Sequence, residues 1–392
     1  MAGLFDKAQI LSMILKNRIV KSATIENMAS LNGLPSDKTA RFYDLLAHGG
    51  TGLIFTGFAY VSKSGQTYPL QNGAHTDAII SRWRPIIEKV HEKGAKIAMQ
   101  IVHAGRQTKM STIRPALAPS NLPNLAYFSW SRAMTKAEIR QTIDDFATAA
   151  ARVKEAGFDA VQVHAGHGYL ISSFLSPLTN RRKDDWGGDA GRRFRFPGEV
   201  YKAIRSQVGN DFPVMYKMNV SDGLPLGLSP SEGFRAARNL EALGLDAIEI
   251  SAGINEMPFV SVRGDAPLEI LGRDRTALGR LYISASLKAQ KLLMPFKENY
   301  FLPYAKRLKP DLKIPLMLVG GIRSRTSAEQ IIRSSWADFV SMARPLVREP
   351  SLPRKWAEGS QDKASCTSCN RCLGEMDQGN ILRCYLKAGE NG

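Results

Sequence analysis

Two histidines and a tyrosine fall within six residues in the run VHAGHGYLISSFLSPLTNRRKDDWGG: His164, His167 and Tyr169. The run follows a short apolar stretch and is spaced by glycines, so it reads as the exit of a β-strand. Two imidazoles and a phenol at this spacing can hydrogen-bond one substrate oxygen and deliver one proton, which is what polarising and reducing an enone or enoyl thioester requires. A lone histidine is more often a satisfied core residue. With only 6 in the chain, two beside a tyrosine at a strand end favour chemistry. The second concentration of reactive groups is C-terminal, where all 4 cysteines lie between Cys366 and Cys384. Cys366, Cys369, Cys372 and Cys384 form C-x₂-C-x₂-C-x₁₁-C, a poor layout for a disulfide framework and a good one for a cluster or a zinc ion, with free thiols as the plain alternative.

The elements that must carry these groups recur. Eight short apolar or β-branched runs, at 18–24, 52–58, 96–103, 160–166, 213–219, 247–253, 316–321 and 339–344, alternate with stretches of helical periodicity. One such stretch, 135–157, has Thr135 to cap its first turn and Gly157 to end it. The alternation predicts an α/β fold, a (β/α)₈ TIM barrel over residues 1–359 with loop insertions and a cysteine-containing tail over 360–392. A doubly wound open sheet is the structural alternative, because periodicity does not show whether the edges meet. In a barrel the active site lies at the C-terminal ends of the strands, where His164, His167 and Tyr169 fall. Two long connections, 104–134 and 254–294, are expected to form the pocket rim and lid.

Composition bounds the rest. At 392 residues, 44% hydrophobic and 23% charged, the chain can bury a large core. The formal charge of +17 raises the question of nucleic acid, yet the cations are scattered and the densest cluster, Arg181, Arg182 and Lys183, lies in the strand-exit loop. An anionic cofactor or substrate explains the surplus as well, and no nucleic-acid role is expected. There is no signal pattern and no run of eighteen apolar residues, so no membrane association is expected and the protein reads as soluble and cytoplasmic.

Six separated segments, LKNRIVKSAT, GGTGLIFTGFAYVS, GAKIAMQIVHAGR, HAGHGYLISSFLSPLTNRR with its following WGG, VGGIRS and MARPL, cover nearly the whole chain. In this order they resemble the old yellow enzyme family of FMN-dependent ene-reductases, and in particular the branch of 2,4-dienoyl-CoA reductase and trimethylamine dehydrogenase. The resemblance implies that Ala23, Thr24 and Ile25 lie against the isoalloxazine, that Gly57 and Phe58 flank it, and that Gln100 bonds its pyrimidine side. Lys217 occupies the place of a basic residue beside the flavin N1–C2 carbonyl, where a fixed cation stabilises the anionic reduced flavin. Gly320, Gly321, Ala343 and Arg344 would hold the phosphate after strands seven and eight. His164 and His167 would bind the substrate carbonyl, Tyr169 would protonate Cα, and NAD(P)H would first reduce the FMN in the same pocket.

The chain departs from the family at several points. Ile25 stands where some relatives have Cys or Thr, Ala343 replaces a Gly, and Trp186 replaces a Tyr. The cysteine tail is close to one that binds a [4Fe–4S] cluster in the dienoyl-CoA reductase branch, with two residues rather than three between its second and third cysteines. No FAD- and nicotinamide-binding module is expected beyond the cysteines, so a cluster, if held, is expected to take electrons from a separate donor protein. The expected partners are therefore a small enone or enoyl-CoA substrate, further copies of the chain in a homo-oligomer, and such a donor.

Overall fold

The computed structural model describes residues 2–386 apart from 111, 125, 128, 274 and 275. Eight parallel strands form the barrel: β1 (Ile19–Lys21), β2 (Leu53–Phe55), β3 (Lys96–Val102), β4 (Ala160–Ala165), β5 (Val214–Asn219), β6 (Ala247–Ser251), β7 (Leu316–Val319) and β8 (Phe339–Met342). Each lies inside one of the runs expected from the sequence. Neighbours pair in chain order and β8 pairs with β1, so the sheet closes on itself and the open-sheet alternative is excluded.

One helix follows each strand around the outside: α1 (Asp37–His48), α2 (Ala78–His91), α3 (Lys136–Glu155), α4 (Ala190–Val208), α5 (Pro230–Ala242), α6 (Leu302–Leu308), α7 (Arg325–Arg333) and α8 (Leu352–Glu358). The start of α3 is as read from the sequence: Thr135 Oγ1 accepts from the Glu138 amide, and Glu138 reaches back to the Thr135 amide at 2.8 Å. Ser229 and Glu232 repeat this box on α5.

Alternation along the strands sorts side chains between the barrel interior and the helix layer. Val20, Phe55, Ala98, Ala160, Met215, Ala247, Met317 and Phe339, one from each strand, form an apolar plug in the lower barrel, closed from below by Ile10, Met13 and Leu15 of an N-terminal hairpin. The larger core lies between the strands and the helices, with Trp83, Phe146, Phe196 and Trp356 fully buried in it.

The two long connections fold as small structures on the C-terminal side of the strands. Residues 104–134 contain a three-stranded sheet (Ala116–Ala118, Pro123–Asn124, Ser129–Ala133). Residues 254–294 contain helices Pro258–Ser261, Leu268–Leu271 and Ala277–Leu293. The tail does not hang free. Asn27 Nδ2 donates to the Met376 carbonyl at 2.8 Å, the Leu382 amide donates to the Glu26 carbonyl at 2.8 Å, and Arg273 pairs with Glu375 at 2.8 Å.

Closure also depends on a tight crossing beside α1. A Cβ added at Gly49 would stand 1.8 Å from the Pro350 carbonyl oxygen, which is backbone and cannot rotate away. Gly49→Ala is therefore expected to cost about 1–3 kcal/mol, the usual penalty for an unaccommodated methyl, read as a lower urea midpoint at unchanged slope. A midpoint equal to wild type would show that the crossing yields freely.

Candidate active site

A cavity of about 690 Å³ opens at the C-terminal ends of the strands. Its wall begins one layer above the apolar plug. The residues two positions further along the strands, Ser22, Gln100, Gln162, Lys217, Glu249 and Ser341, are polar and buried. They form a hydrogen-bonded belt: Gln100 Nε2 donates to Gln162 Oε1 at 2.6 Å, Gln162 Nε2 to Glu249 Oε2 at 3.1 Å, and Lys217 Nζ to Ser22 Oγ at 2.7 Å. Lys217 Nζ stands 3.6 Å from Glu249 Oε2. Lys217, Ser22 and Ser341 reach the cavity surface. Ser341 Oγ is buried without a hydrogen-bond partner.

Two further positions along lies the ring that carries the expected chemistry. Ala23, Thr24 and Ile25 leave β1 and line the cavity, as does Phe58 after β2. His167 and Tyr169 line it from the exit of β4, where the chain turns through φ +59° at His167 and +80° at Gly168. That turn is held by Asn219 Oδ1, which accepts from the His167 amide at 3.2 Å, and His167 Nε2 shares a 2.7 Å hydrogen bond with Ser251 Oγ. His164 stands behind, 2% exposed and outside the cavity lining, its ring centroid 5.1 Å from His167, 4.9 Å from Tyr169 and 5.7 Å from Phe58. Its Nδ1 has no partner.

Electrostatics keeps these groups neutral. Burial, helped by the charge of Lys217, lowers the His167 imidazole to about 3. Burial, then His167 and Lys217, lowers His164 as well. Burial raises the Tyr169 phenol, so it stays protonated.

At the opposite end Gly320 and Gly321 follow β7 with φ +116° and +80°, packed so tightly against Tyr300 and Phe301 that a Cβ on Gly320 would lie 2.8 Å from ring carbons. Ala343 and Arg344 after β8, and Arg323 after β7, complete this end. Arg344 Nη1 donates to the Arg263 carbonyl at 2.9 Å and also to Asn370 Oδ1. The cavity thus offers a cationic end lined by Gly320 and Gly321, a polar floor with an unsatisfied hydroxyl, and an apolar face at Ile25 and Phe58. This is the donor and surface set that an anionic, planar cofactor such as FMN needs.

Two expected contacts are placed elsewhere. Gln100 lies below the surface at the end of the belt. Gly57 does not line the cavity: its amide donates to Glu26 Oε1 at 2.9 Å, and a Cβ there would meet the Thr24 carbonyl at 2.7 Å. Sequence reasoning also missed lining residues. Arg323 stands two positions after the Gly320–Gly321 pair and was within reach of that motif. Ser22 and Ser341 follow the period-two rule from the apolar plug. Tyr68, Asn255 and Asp377 had no local signal.

The four cysteines border a common small cavity with Arg344 and Arg348, and Arg348 Nη1 donates to Cys384 Sγ at 3.2 Å. Among the described residues no three His, Cys, Asp or Glu side chains are set to hold a metal ion. The helix Arg371–Asp377 carries Cys372, and its Leu373, Gly374, Met376 and Asp377 line the large cavity.

Comparison with known proteins agrees with this arrangement. Residues 3–256 match the model of the NADH:flavin oxidoreductase / NADH oxidase family. A 4,4'-dithiodibutanoate disulfide reductase of Rhodococcus erythropolis is 34% identical, over 98% of this chain and 95% of that protein. An NADH oxidase of Thermoanaerobacter brockii is 34% identical over 100% of this chain but 57% of its own length, so the chain spans little more than half of that relative. Among solved structures, a 2-naphthoyl-CoA reductase complexed with 2-naphthoyl-CoA superposes with a TM-score of 0.84 at 26% identity, over 97% of this chain and 56% of the other. No helix among the described residues is long and apolar enough to cross a membrane. The chain belongs to the NADH:flavin oxidoreductase / NADH oxidase family, that of the old yellow enzymes, and is an NAD(P)H-dependent oxidoreductase built around FMN.

Proposed function

We propose that the chain is an ene-reductase that reduces the C=C bond of an α,β-unsaturated carbonyl compound, an enone or an enoyl thioester. The observation that carries this reading is that His167 and Tyr169, kept neutral by burial, face the cavity together on the side where Lys217 supplies the only cation of the floor belt. FMN, when bound, supplies hydride that it has taken from the nicotinamide. The protein groups do the rest. His167, with His164 behind it, binds the carbonyl oxygen and draws electron density from Cβ, and the Tyr169 phenol gives a proton to Cα. Lys217 stabilises negative charge on the reduced cofactor, while Gly320, Gly321, Ala343 and Arg344, joined by Arg323, hold its phosphate. Residues 1–359 form the FMN-binding barrel in this reading, and the tail completes its cavity wall.

One observation favours a second arrangement for electron supply. The four thiols share one cavity against Arg344, on the segment whose helix also walls the large cavity. Cys366, Cys369, Cys372 and Cys384 would hold a [4Fe–4S] cluster, and the chain would serve as the FMN and cluster subunit of a larger reductase or demethylase fed by a separate protein.

Tyr169→Phe is expected to slow reoxidation of reduced flavin by an enone about 10²–10⁴-fold and to spare reduction by NAD(P)H. Equal slowing of both half-reactions in stopped-flow would remove the proton-donor role. Since the His167 imidazole is held near 3 while an unfolded histidine titrates near about 6.5, the unfolded chain takes up protons first as pH falls. Stability should decline from about pH 6.5 downward, with Tm falling less steeply in His167→Asn than in wild type. Parallel Tm curves would contradict a neutral buried His167. Anaerobically purified protein should contain about four iron and four acid-labile sulfide per chain if the tail holds a cluster. Iron-free protein with full NAD(P)H-dependent turnover would dismiss the second arrangement.

A further inference from the structure

Lys21, the last residue of β1, is fully buried, and its charge has no evident structural use. Its ammonium is given to neutral oxygens rather than to a carboxylate. Nζ donates to the Ser22 carbonyl at 2.7 Å and to Thr24 Oγ1 at 2.8 Å, and it stands 5.7 Å from the Phe42 ring centre. The ionisable groups whose fields it feels are Glu26, Lys217 and Glu249. Glu26 is occupied elsewhere, accepting from the Tyr43 hydroxyl, the Gly57 amide and Asn72 Nδ2. Glu249 belongs to the Lys217 belt. A buried cation without a close counter-charge costs stability, so its retention calls for a gain in another place.

Thr24 is where that gain arises. It lines the cavity at the exit of β1, with Ala23 and Ile25, where the proposed reading puts FMN. A hydroxyl has one hydrogen and two lone pairs. Once Lys21 donates to Oγ1, the hydroxyl hydrogen cannot point back along the same line and is left for the cavity. A hydroxyl that already accepts from an ammonium is also a stronger donor, because the two bonds polarise one another.

We propose that Lys21 is a positioning residue which acts through Thr24: it turns the Thr24 hydroxyl into a directed donor to the flavin edge and thereby raises the FMN reduction potential. The donor bond strengthens as the cofactor gains negative charge on reduction, so the effect is larger on the reduced state and appears in the potential. The proposal rests on FMN as cofactor and not on the nature of the acceptor. The potential is measured without substrate, so failure of the ene-reductase reading would leave this test intact.

The test is spectroelectrochemical titration of FMN-loaded protein. Lys21→Met and Thr24→Val should each shift the ratio of oxidised to reduced flavin at least tenfold toward oxidised, about 30 mV for a two-electron couple. Thr24→Ser should stay close to wild type. The double variant should be no lower than Thr24→Val alone, because the two residues act in series. Additive shifts, or a Lys21→Met protein with flavin bound and an unchanged potential, would overturn the proposal. If Lys21→Met does not fold, the wild type supplies a second arm. Burial, offset in part by Glu26, lowers the Lys21 ammonium to about 8. Potential plotted against pH should bend downward near that value in wild type and not in Thr24→Val, and a wild-type plot without the bend would equally refute the idea.

Discussion

The ammonium of Lys217, sealed inside a β-barrel, is the constraint on which the rest of the site depends. Removing such a charge from water costs several kcal/mol unless it is paired and hydrogen-bonded. Here Glu249 and Ser22 meet it, Glu249 is steadied by Gln162, and Gln162 by Gln100, so the compensation crosses the barrel through four strands and the exit of β1. This belt forms only in one register, with Gln162 opposite Gln100 and Lys217 between His164 and Glu249. A slip of one residue in any of these strands would exchange its inner and outer faces and strand the charge. The apolar plug beneath serves the same end, since it leaves the belt no water from below.

What stands on the belt is a cavity of two characters. One end presents Arg323, Arg344 and two glycines at positive φ, whose missing side chains leave room for Tyr300 and Phe301. The other presents neutral donors, because the burial that keeps Lys217 close to His167 also forbids a second positive charge there. In the proposed reading Lys217 serves twice from one position: its charge would reach a cofactor, and it adds to the burial that keeps the neighbouring imidazoles uncharged. The surplus of cations in the chain is not what makes the site, which depends on a few buried charges whose fields water does not screen.

The walls come from parts of the chain far apart in sequence. Ala126 and Tyr127 of 104–134, the helices in 254–294 and the tail helix Arg371–Asp377 line one cavity, and Leu373 and Met376 pack with Ile25, Phe58, Tyr68 and Tyr169. The cysteine segment is thus part of the pocket, tied to Glu26 and Asn27 on one side and to Arg344 through Asn370 on the other. Any occupant of the thiol pocket would therefore bear directly on a wall of the large cavity.

The sequence by itself determined the eight strands, their alternation with helices and the residues at the strand exits, because period-two and period-3.6 patterns are local consequences of burial. His167 and Tyr169 were legible for this reason, whereas Lys217 and Arg344 were implied by the family resemblance of their segments. Residues such as Gln162, Glu249 and Ser341 followed the same rule but were not picked out, since period two gives the face of a strand and not the height at which its side chain meets others. Only the tertiary structure decided that Gln100 supports the floor from below, that Gly57 serves the approach of two strand exits, and that His164 stands behind His167. It alone brought Tyr68, Asn255 and Asp377 to the cavity. Depth in a barrel is set by strand register and shear, and the rim by long-range packing of insertions. Both are agreements between distant segments that no local pattern records.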